Sequence, residues 1–233
     1  MNDMKIQGLQ KLSLVDYPGI TACTVFLGGC NFRCPFCHNP DLVLPERFGP
    51  SVDEEELFRF LQKRSRVLDG VCISGGEPLM QKDLPELLKK IKGMGYQIKL
   101  DTNGSYPAQL RRLCGDGLVD YVAMDIKNST QSYAMTAGAE HLDLTFVKES
   151  AAFLLEGDLP YEFRTTVVKE LHTESDFEEI GKWLAGEEQY YLQTFSAEHG
   201  ALNEGLHACD EEEMLRFLNI LRKSIPNAAL RKI

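Results

Sequence analysis

The chain has 233 residues, of which 43% are hydrophobic, and its 25 basic and 35 acidic side chains leave a formal charge of −10. This length predicts one domain with a full hydrophobic core, and the negative charge argues against nucleic-acid or anionic-membrane binding. Seven cysteines are an odd number and three of them fall within eight residues, which favours a reducing compartment and a metal site over a disulfide framework.

The N-terminal stretch from Met1 to Leu14 mixes charged and amide side chains among its apolar ones. It therefore lacks the apolar core of about 7–15 residues that a signal peptide has. No apolar run in the sequence approaches the ~20 residues needed to span a bilayer. We expect a cytoplasmic protein with no membrane partner.

Short apolar or β-branched runs alternate with longer amphipathic segments, a pattern typical of parallel strands joined by crossover helices. The predicted strands, in chain order, are Thr21–Phe26, Gly70–Ser74, Gln97–Asp101, Tyr121–Asp125, Glu162–Val168 and Tyr190–Phe195. The predicted helices are Val52–Arg66, Leu84–Met94, Ala108–Cys114, Leu144–Glu156, Asp176–Ala185 and Asp210–Lys223.

These segments predict an α/β fold of six βα units in a single domain, with a core over residues 12–196 and a C-terminal helix and tail over residues 197–233. Periodicity alone leaves an open doubly wound sheet and a partial barrel as alternatives. In both architectures ligands bind at the carboxyl ends of the strands. Residues that directly follow a predicted strand are therefore the first candidates for a functional site.

The first predicted strand is followed by Cys30, Cys34 and Cys37 in the spacing C-x3-C-x2-C. Thiolates on such a tight loop can converge on one iron–sulfur cube, which has four irons. The other four cysteines are interpreted as buried apolar residues rather than as a fourth ligand: Cys23, Cys72, Cys114 and Cys209. A zinc site completed by His38 is the alternative, although the second C-x2-C pair usual in zinc ribbons does not occur in the sequence.

The second predicted strand runs into Ser74-Gly75-Gly76-Glu77-Pro78. Gly75 and Gly76 remove side chains where a ligand approaches the sheet edge, and the exposed carbonyls together with Glu77 can accept hydrogen bonds from an ammonium group. The alternative for Glu77-Pro78 is a helix N-terminus, where an acidic residue and a proline are both favourable.

The third and fourth predicted strands are followed by Asp101-Thr102-Asn103-Gly104 and by Asp125-Ile126-Lys127. Their oxygen atoms suit a hard cation, while the first stretch also has the composition of a plain turn. Arg164 lies inside the fifth predicted strand, where a charge is costly unless it is paired. The alternatives to a role in a pocket are solvent-face pairing of Arg164 with Glu162 or with an acid of a neighbouring strand, and pairing of a surface Lys127 with Asp125.

The cysteine motif, followed by Ser74–Pro78 on the next strand end, resembles the radical S-adenosylmethionine (SAM) superfamily. Three further stretches are similar to the glycyl-radical-enzyme activating enzymes of that superfamily: Asp16-Tyr17-Pro18-Gly19, Phe26-Leu27-Gly28-Gly29-Cys30 and Cys37-His38-Asn39-Pro40. The stretches Asp101–Gly104 and Asp125–Lys127 also match that pattern. The resemblance spans about Leu12 to Lys127 and implies a partial (β/α)6 TIM-like barrel with parallel strands.

In that superfamily three cysteines hold a [4Fe–4S] cluster whose open iron binds the amino and carboxylate groups of SAM. The resemblance therefore implies cluster ligation by Cys30, Cys34 and Cys37, and it places Arg164 near the carboxylate or ribose of SAM. Lys127 is expected to neutralise the carboxylate of SAM or the backbone of the partner protein. It assigns SAM-binding positions to nine residues: His38, Asn39, Gly75, Gly76, Glu77, Asp101, Thr102, Asn103 and Asp125.

A monovalent cation is also implied. In pyruvate formate-lyase activating enzyme, the residues that match Asp101, Thr102, the carbonyl of Ala123 and Asp125 bind such a cation near the SAM carboxylate. Gln193 and Phe195, at the end of the sixth predicted strand, are expected to line the pocket without an assigned role.

The activity implied by the resemblance is reductive cleavage of SAM. An electron from the cluster breaks the S–C5′ bond and yields methionine and a 5′-deoxyadenosyl radical, which abstracts hydrogen from a glycine of a glycyl radical enzyme. No basic residue directly follows Asp16–Gly19, since Ile20 and Thr21 come next, which makes the chain similar to the anaerobic ribonucleoside-triphosphate reductase activating proteins. Anaerobic ribonucleotide reductase is thus the expected partner, with flavodoxin or ferredoxin as electron donor.

Two alternatives remain open. The first is a radical SAM enzyme acting on a small molecule, such as the deazapurine ring-contracting synthases, whose altered cluster-loop spacings differ from C-x3-C-x2-C. The second is a zinc-binding interaction module that performs no chemistry.

Overall fold

The structure is a computed structural model that describes residues 4–186, 189–196 and 200–231. Within these residues eight strands form one sheet, and their order across the sheet is their order along the chain. Their bounds are β1 Ile6–Ser13, β2 Ala22–Leu27, β3 Gly70–Gly75, β4 Gln97–Thr102, β5 Tyr121–Asp125, β6 Tyr161–Val167, β7 Gln189–Thr194 and β8 Ala229–Arg231.

The helices of the described residues lie between these strands and after β7. They are α1 Pro40–Val43, α2 Glu54–Arg64, α3 Leu84–Gly93, α4 Pro107–Gly115, α5 Tyr133–Ala137, α6 Leu144–Glu156, α7 Glu174–Trp183 and α8 Glu211–Leu221, with short 3-10 helices η1 Pro45–Arg47 and η2 Pro78–Met80. None of them combines the length and the hydropathy of a membrane span.

The chain divides into two compact units. The first contains the chain up to residue 31 with residues 41–102 and 108–122, and the second contains residues 32–40, 103–107 and the chain from 123 onward. That the whole chain is one domain stays a prediction. Its expected boundary before residue 197 falls beside residues 197–199, which lie outside the described part.

The first unit is built on β1 to β4. Strand β1 pairs antiparallel with β2, whereas β2, β3 and β4 are parallel, with Ala22 opposite Gly70 and Gly70 opposite Gln97. Helix α3 is amphipathic, and four of its five buried residues recur every three or four positions on the face turned to the core: Leu84, Leu87, Leu88 and Ile91. Burial of this stripe and of the apolar strands stabilises the unit.

The second unit contains β6, β7 and β8, which are parallel in register, with Glu162 opposite Gln189. Helices α7 and α8 both begin with a capping box, on Thr173 and Asp210 respectively. These caps satisfy backbone N–H groups that would otherwise lack partners. The two helices pack through Phe177 and Phe217, whose ring centroids are 4.6 Å apart.

The predicted α/β fold with parallel strands is confirmed. All six predicted strands are present to within one residue at each end, and all six predicted helices to within two. Among the strands and α-helices of the described residues, four were missed: β1, β8, α1 and α5. Strand β1 carries polar residues and register irregularities, and the other three have five residues or fewer, too few to establish a period.

Candidate active site

The carboxyl ends of β2, β3 and β4 lie at one edge of the first unit because these strands are parallel. There the backbone N–H of Gly76 donates to the carbonyl of Leu27 at 2.9 Å, and the N–H of Glu77 donates to the carbonyl of Gly29 at 2.8 Å. The loop after β3 is therefore fixed directly against the segment that leads to Cys30.

Gly75 and Gly76 are required by the neighbouring backbone. Gly75 has a φ of +117°, and a Cβ there would lie 2.5 Å from the amide nitrogen of Leu27. A Cβ on Gly76 would lie 2.5 Å from the carbonyl carbon of Gly29 and closer still to its oxygen. From the sequence alone, these glycines are explained by the approach of a ligand. In the structure the backbone of the chain itself also excludes a side chain at both positions.

Glu77 is fully buried, and its carboxylate bonds within the chain. Its Oε1 accepts a hydrogen bond from the backbone N–H of Leu79 at 3.0 Å and another from the hydroxyl of Thr102 at 2.8 Å. The first bond caps the 3-10 helix η2, as the helix-N-terminus alternative predicted. The second ties the end of β3 to the end of β4, so both predicted site residues shape this edge together.

Asp101 carries an ion pair that sequence reasoning missed. Its Oδ2 accepts a hydrogen bond from the Ser74 hydroxyl at 3.0 Å, and its Oδ1 pairs with the ammonium of Lys99. Lys99 lies two residues earlier on β4, and its side chain is only 1% exposed. A lysine in the middle of an apolar strand is the signal that could have revealed this pair, because lysine is rarely buried without a partner.

The cysteine segment after β2 is held by its backbone. In the second unit the N–H of Cys37 donates to the carbonyl of Cys34 at 3.0 Å, and the N–H of Asn203 donates to the carbonyl of Pro35 at 2.9 Å. Cys30 belongs to the first unit. These bonds fix the turn that carries Cys34 and Cys37 without involving their sulfur atoms.

Burial and the nearby positive charge shift the pKa values of Cys34 and Cys37 in opposite directions. Burial raises the pKa of the Cys34 thiol to about 11 and also raises the pKa of Cys37, while the Lys127 ammonium opposes both shifts. The backbone N–H of Asn39 also lowers the pKa of Cys37. Asn39 thus contributes through its backbone, and His38 beside it is half-buried.

Asp125 lies between two cations at the end of β5. Its Oδ2 pairs with the Lys127 ammonium at 3.0 Å, and its Oδ1 pairs with the Arg164 guanidinium at 2.9 Å. Burial alone would raise the pKa of Asp125, but Arg164 and Lys127 hold it well below its usual range. Asp125 in turn outweighs burial and raises the pKa of Lys127. Asp125 therefore holds two cationic side chains at the end of β5.

Arg164 does pair with an acid of the neighbouring strand, Asp125 on β5, but its side chain is only 13% exposed, so the expected solvent-face position is wrong. Its guanidinium reaches Glu162 only at 4.0 Å, and Glu162 is fully buried. Glu162 instead accepts two hydrogen bonds, of 2.6 and 2.7 Å, from the guanidinium of Arg231 on β8. Lys127 does pair with Asp125, but its side chain is 16% exposed and so does not form the expected surface ion pair.

Asn103 forms the turn after β4. Its Oδ1 accepts hydrogen bonds from the backbone N–H of Ser105 at 3.0 Å and from the Ser105 hydroxyl at 2.5 Å. The hydroxyl of Ser150 donates to the carbonyl of Gly104 at 2.6 Å. Asn103 therefore acts as the turn residue that the composition of Asp101–Gly104 suggested.

His172 supports the segment after β5, a role that sequence reasoning missed because the histidine lies 45 residues further along the chain. Its Nδ1 accepts a hydrogen bond from the backbone N–H of Val168 at 3.1 Å, so its Nε2 carries the proton and donates to the carbonyl of Lys127 at 2.9 Å. The backbone beside the charged cluster is thus tied to the turn after β6.

We expect His172 to make the protein less stable as the pH falls. Burial lowers the pKa of His172 below its ordinary value of 6.5, so the unfolded chain binds a proton that the folded chain refuses. Stability is full above pH 6.5 and decreases below it, by up to about 1.4 kcal/mol per pH unit. Denaturant unfolding of wild type and His172→Gln from pH 7.5 to 5.5 measures this, and the variant should show the smaller slope.

His141 is the matched control for this measurement because it is exposed. His141→Gln should keep the wild-type dependence of the unfolding free energy on pH. Equal slopes for His172→Gln and wild type would show that His172 does not contribute.

The donor set around the cysteine motif fits an iron–sulfur cluster. All seven cysteines are free thiols, and thiolate is the ligand that such clusters use. Within the described residues no group of three or more His, Cys, Asp or Glu side chains is arranged to hold one metal ion. Each thiolate of a cube bonds a different iron, so a cube does not need the sulfur atoms to meet at one point.

The residues that the sequence predicted to bind a monovalent cation do not fit that role in the structure. Asp101 is paired with Lys99, and Asp125 is paired with both Lys127 and Arg164. The ammonium and guanidinium groups beside these two carboxylates would repel a second cation there.

The sequence matches the model of the Radical SAM superfamily over residues 24–184. It is 32% identical over 235 residues to a candidate glycyl-radical enzyme activating enzyme of Methanocaldococcus jannaschii, covering 98% of this chain and 96% of that protein. It is 35% identical over 133 residues to the pyruvate formate-lyase-activating enzyme of Clostridium pasteurianum, covering 53% and 52%. The match to the 7-carboxy-7-deazaguanine synthase of Hyperthermus butylicus is 36% identical over 96 residues, covering 41% and 40%.

Two solved structures show a similar fold. SuiB of Streptococcus suis bound to S-adenosylmethionine matches with a TM-score of 0.68 and 14% identity, over 88% of this chain and 48% of that one. QueE of Escherichia coli matches with a TM-score of 0.56 and 16% identity, over 100% and 92%. These likenesses concern the fold alone, and they are consistent with the expected partial TIM-like barrel.

Proposed function

The chain belongs to the radical SAM superfamily, and we propose that it activates a glycyl radical enzyme, with anaerobic ribonucleotide reductase as the expected partner. The match to a candidate activating enzyme over 98% of this chain carries the proposal. The shorter match to a pyruvate formate-lyase-activating enzyme supports the same class of activity. Family membership implies a [4Fe–4S] cluster and SAM as cofactors.

In this proposal Cys30, Cys34 and Cys37 hold the cluster. When bound, the cluster supplies the electron that cleaves SAM to methionine and a 5′-deoxyadenosyl radical. The chain contributes a segment whose backbone is fixed by the Cys37–Cys34 hydrogen bond and an ammonium, on Lys127, that favours thiolates at Cys34 and Cys37.

The charged cluster of Asp125, Lys127 and Arg164 suits the carboxylate of SAM. Its ammonium and guanidinium groups can bind an anion, and Asp125 holds both of them in place through bonds of 2.9 to 3.0 Å. Arginine and lysine positioned in this way bind a carboxylate without first paying the entropy of ordering their side chains.

The edge formed by β3 and β4 suits the amino group of SAM. Gly75 and Gly76 place no side chain at this edge, and the hydrogen bond from Thr102 to Glu77 ties β4 to the loop that contains them. We extend the proposal to the other residues expected near SAM, which are His38, Asn39, Asp101 and Asn103. Asn103 and Asn39 would act by shaping their loops.

The proposal includes reduced flavodoxin or ferredoxin as electron donor, since cleavage of SAM consumes one electron. It also places the protein in the cytoplasm, where thiols stay reduced. The seven free thiols support this location, because disulfides are rare there.

The experiment that tests the proposal uses the reconstituted protein, SAM, a reductant and an anaerobic ribonucleotide reductase from the same organism. We expect a doublet in the electron paramagnetic resonance spectrum, which reports one glycyl radical coupled to the remaining α-hydrogen. A partner whose radical glycine is replaced by alanine is the matched control and should give no doublet. Cleavage of SAM without a doublet on this partner or on other glycyl radical enzymes of the organism would overturn the proposal.

A small-molecule substrate is the second candidate function. It is favoured by the match to a 7-carboxy-7-deazaguanine synthase, which covers 41% of the chain. The activating-enzyme match covers 98%, and for that reason we rank the protein substrate first. Consumption of a deazaguanine precursor in proportion to 5′-deoxyadenosine formed, with no glycyl radical, would establish the second candidate instead.

A further inference from the structure

Lys99 occupies an unusual position for a lysine. Its side chain belongs to a buried row that crosses three parallel strands in register, formed by Thr24 on β2, Cys72 on β3 and Lys99 on β4. Thr24 is 2% exposed, Cys72 is fully buried and Lys99 is 1% exposed. Because side chains alternate along a strand, Lys99 and Asp101 share one face of β4.

A buried ammonium is costly unless a partner and hydrogen bonds compensate for its lost hydration. Lys99 finds its ionic partner in Asp101 and lies 3.9 Å from the sulfur of Cys72. The other oxygen of Asp101 accepts the hydrogen bond from Ser74. Both oxygens of this carboxylate therefore have partners within the chain. The Lys99 ammonium neutralises the negative charge of Asp101.

A monovalent cation beside Asp101 would meet this ammonium. The added cation would repel Lys99, and the strand prevents Lys99 from moving into water because its side chain is buried. In the second unit Asp125 is likewise paired with two cationic side chains. The carboxylates that would attract a free cation thus already have cationic partners within the chain.

We propose that the ammonium of Lys99 takes the place of a monovalent cation, so that SAM binding by this protein does not depend on potassium or sodium. The inference rests on the chain binding SAM, as its family implies, and not on the identity of the protein that it activates. Lys99 acts through Asp101 and is a positioning residue, since it lies behind the strand end and not at the edge.

The direct test compares wild-type protein in tetramethylammonium chloride, potassium chloride and sodium chloride at equal ionic strength. The dissociation constant of SAM is measured on the reconstituted protein, and 5′-deoxyadenosine formation is measured with a photoreduced deazaflavin, which avoids the sodium of dithionite. We expect both quantities to agree within twofold among the three salts. Binding that tightens fivefold or more in potassium or sodium would overturn the inference.

The variant Lys99→Met removes the charge while keeping an unbranched side chain of similar length. It should weaken SAM binding at least tenfold in tetramethylammonium chloride, and potassium or sodium should restore part of the loss. Lys99→Arg keeps the charge and is the matched control, which should stay indifferent to the cation. Binding by Lys99→Met that equals wild type in every salt would contradict the proposal.

Thermal unfolding of the protein without its cluster adds a measurement that needs no activity. The wild-type midpoint should be the same in all three salts, whereas potassium or sodium should raise the midpoint of Lys99→Met. Should Lys99→Met fail to fold, the wild-type comparison still decides the matter. A protein that binds SAM equally in all salts but activates no glycyl radical enzyme would refute the proposed partner while leaving this inference intact.

Discussion

Replacement of Cys34 by alanine is expected to abolish cluster binding and SAM cleavage together. Removal of one of three thiolates leaves a second iron without a protein ligand. Changes outside the ligand shell of a metal site already cost about 10–100-fold, so 5′-deoxyadenosine formation should fall by more than about a hundredfold. Iron and sulfide content after anaerobic reconstitution, the absorbance of the cluster and 5′-deoxyadenosine yield measure the effect.

Cys114 provides the matched control for this substitution. It lies on α4 and is half-buried rather than buried as expected, whereas Cys23, Cys72 and Cys209 are buried. Cys114→Ala should retain the cluster and nearly all of the activity. Retention of both by Cys34→Ala would refute the assignment of the cluster ligands, and stoichiometric zinc in place of iron would favour the zinc-binding alternative.

Replacement of Gly76 by alanine should have the second-largest effect. The new Cβ would lie 2.5 Å from the carbonyl carbon of Gly29 and 3.2 Å from the amide nitrogen of Cys30. These are backbone atoms, so either the loop after β3 or the segment leading to Cys30 must move. We expect a loss of about 3 kcal/mol in unfolding free energy, as for other severe overpacking, and at least a tenfold loss of SAM affinity.

Gly93 is the control for this experiment because a Cβ there meets nothing within 4 Å. It is the last residue of α3, and alanine should leave stability unchanged or raise it by up to about 1 kcal/mol. Denaturant unfolding and SAM titration of both variants give the comparison. If Gly76→Ala unfolds like Gly93→Ala, the close approach of the two loops is not a constraint on the protein.

Much of the fold follows from local pattern. The strand from Tyr121 to Asp125 and the helix from Leu144 to Glu156 have the predicted bounds, because an apolar run and an amphipathic period report burial directly. Strand β8 escaped prediction. It is three residues long, and it is held by a long-range ion pair between Arg231 and Glu162, which no window of neighbouring residues contains.

The candidate site also contains features that follow from local sequence and features that depend on long-range contacts. Cys30, Cys34 and Cys37 are recognisable because their spacing is local, and the glycines after β3 are recognisable because they follow a strand. The pairing of Asp125 with Arg164 joins residues 39 positions apart. The hydrogen bond from His172 to the carbonyl of Lys127 joins residues 45 positions apart. Such contacts depend on which strands and turns become neighbours, so composition and spacing cannot specify them.

The sequence by itself determined the α/β class, the positions of six strands along the chain and the thiolate chemistry, since each depends on burial periodicity or on residues close together in the chain. Only the tertiary structure decided how the charges are neutralised. From the sequence alone, Asp101 and Asp125 could equally have bound a metal cation. In the structure their partners are Lys99, Lys127 and Arg164. The energy of a charge depends on every charge within a few ångströms in space, and that neighbourhood exists only after folding.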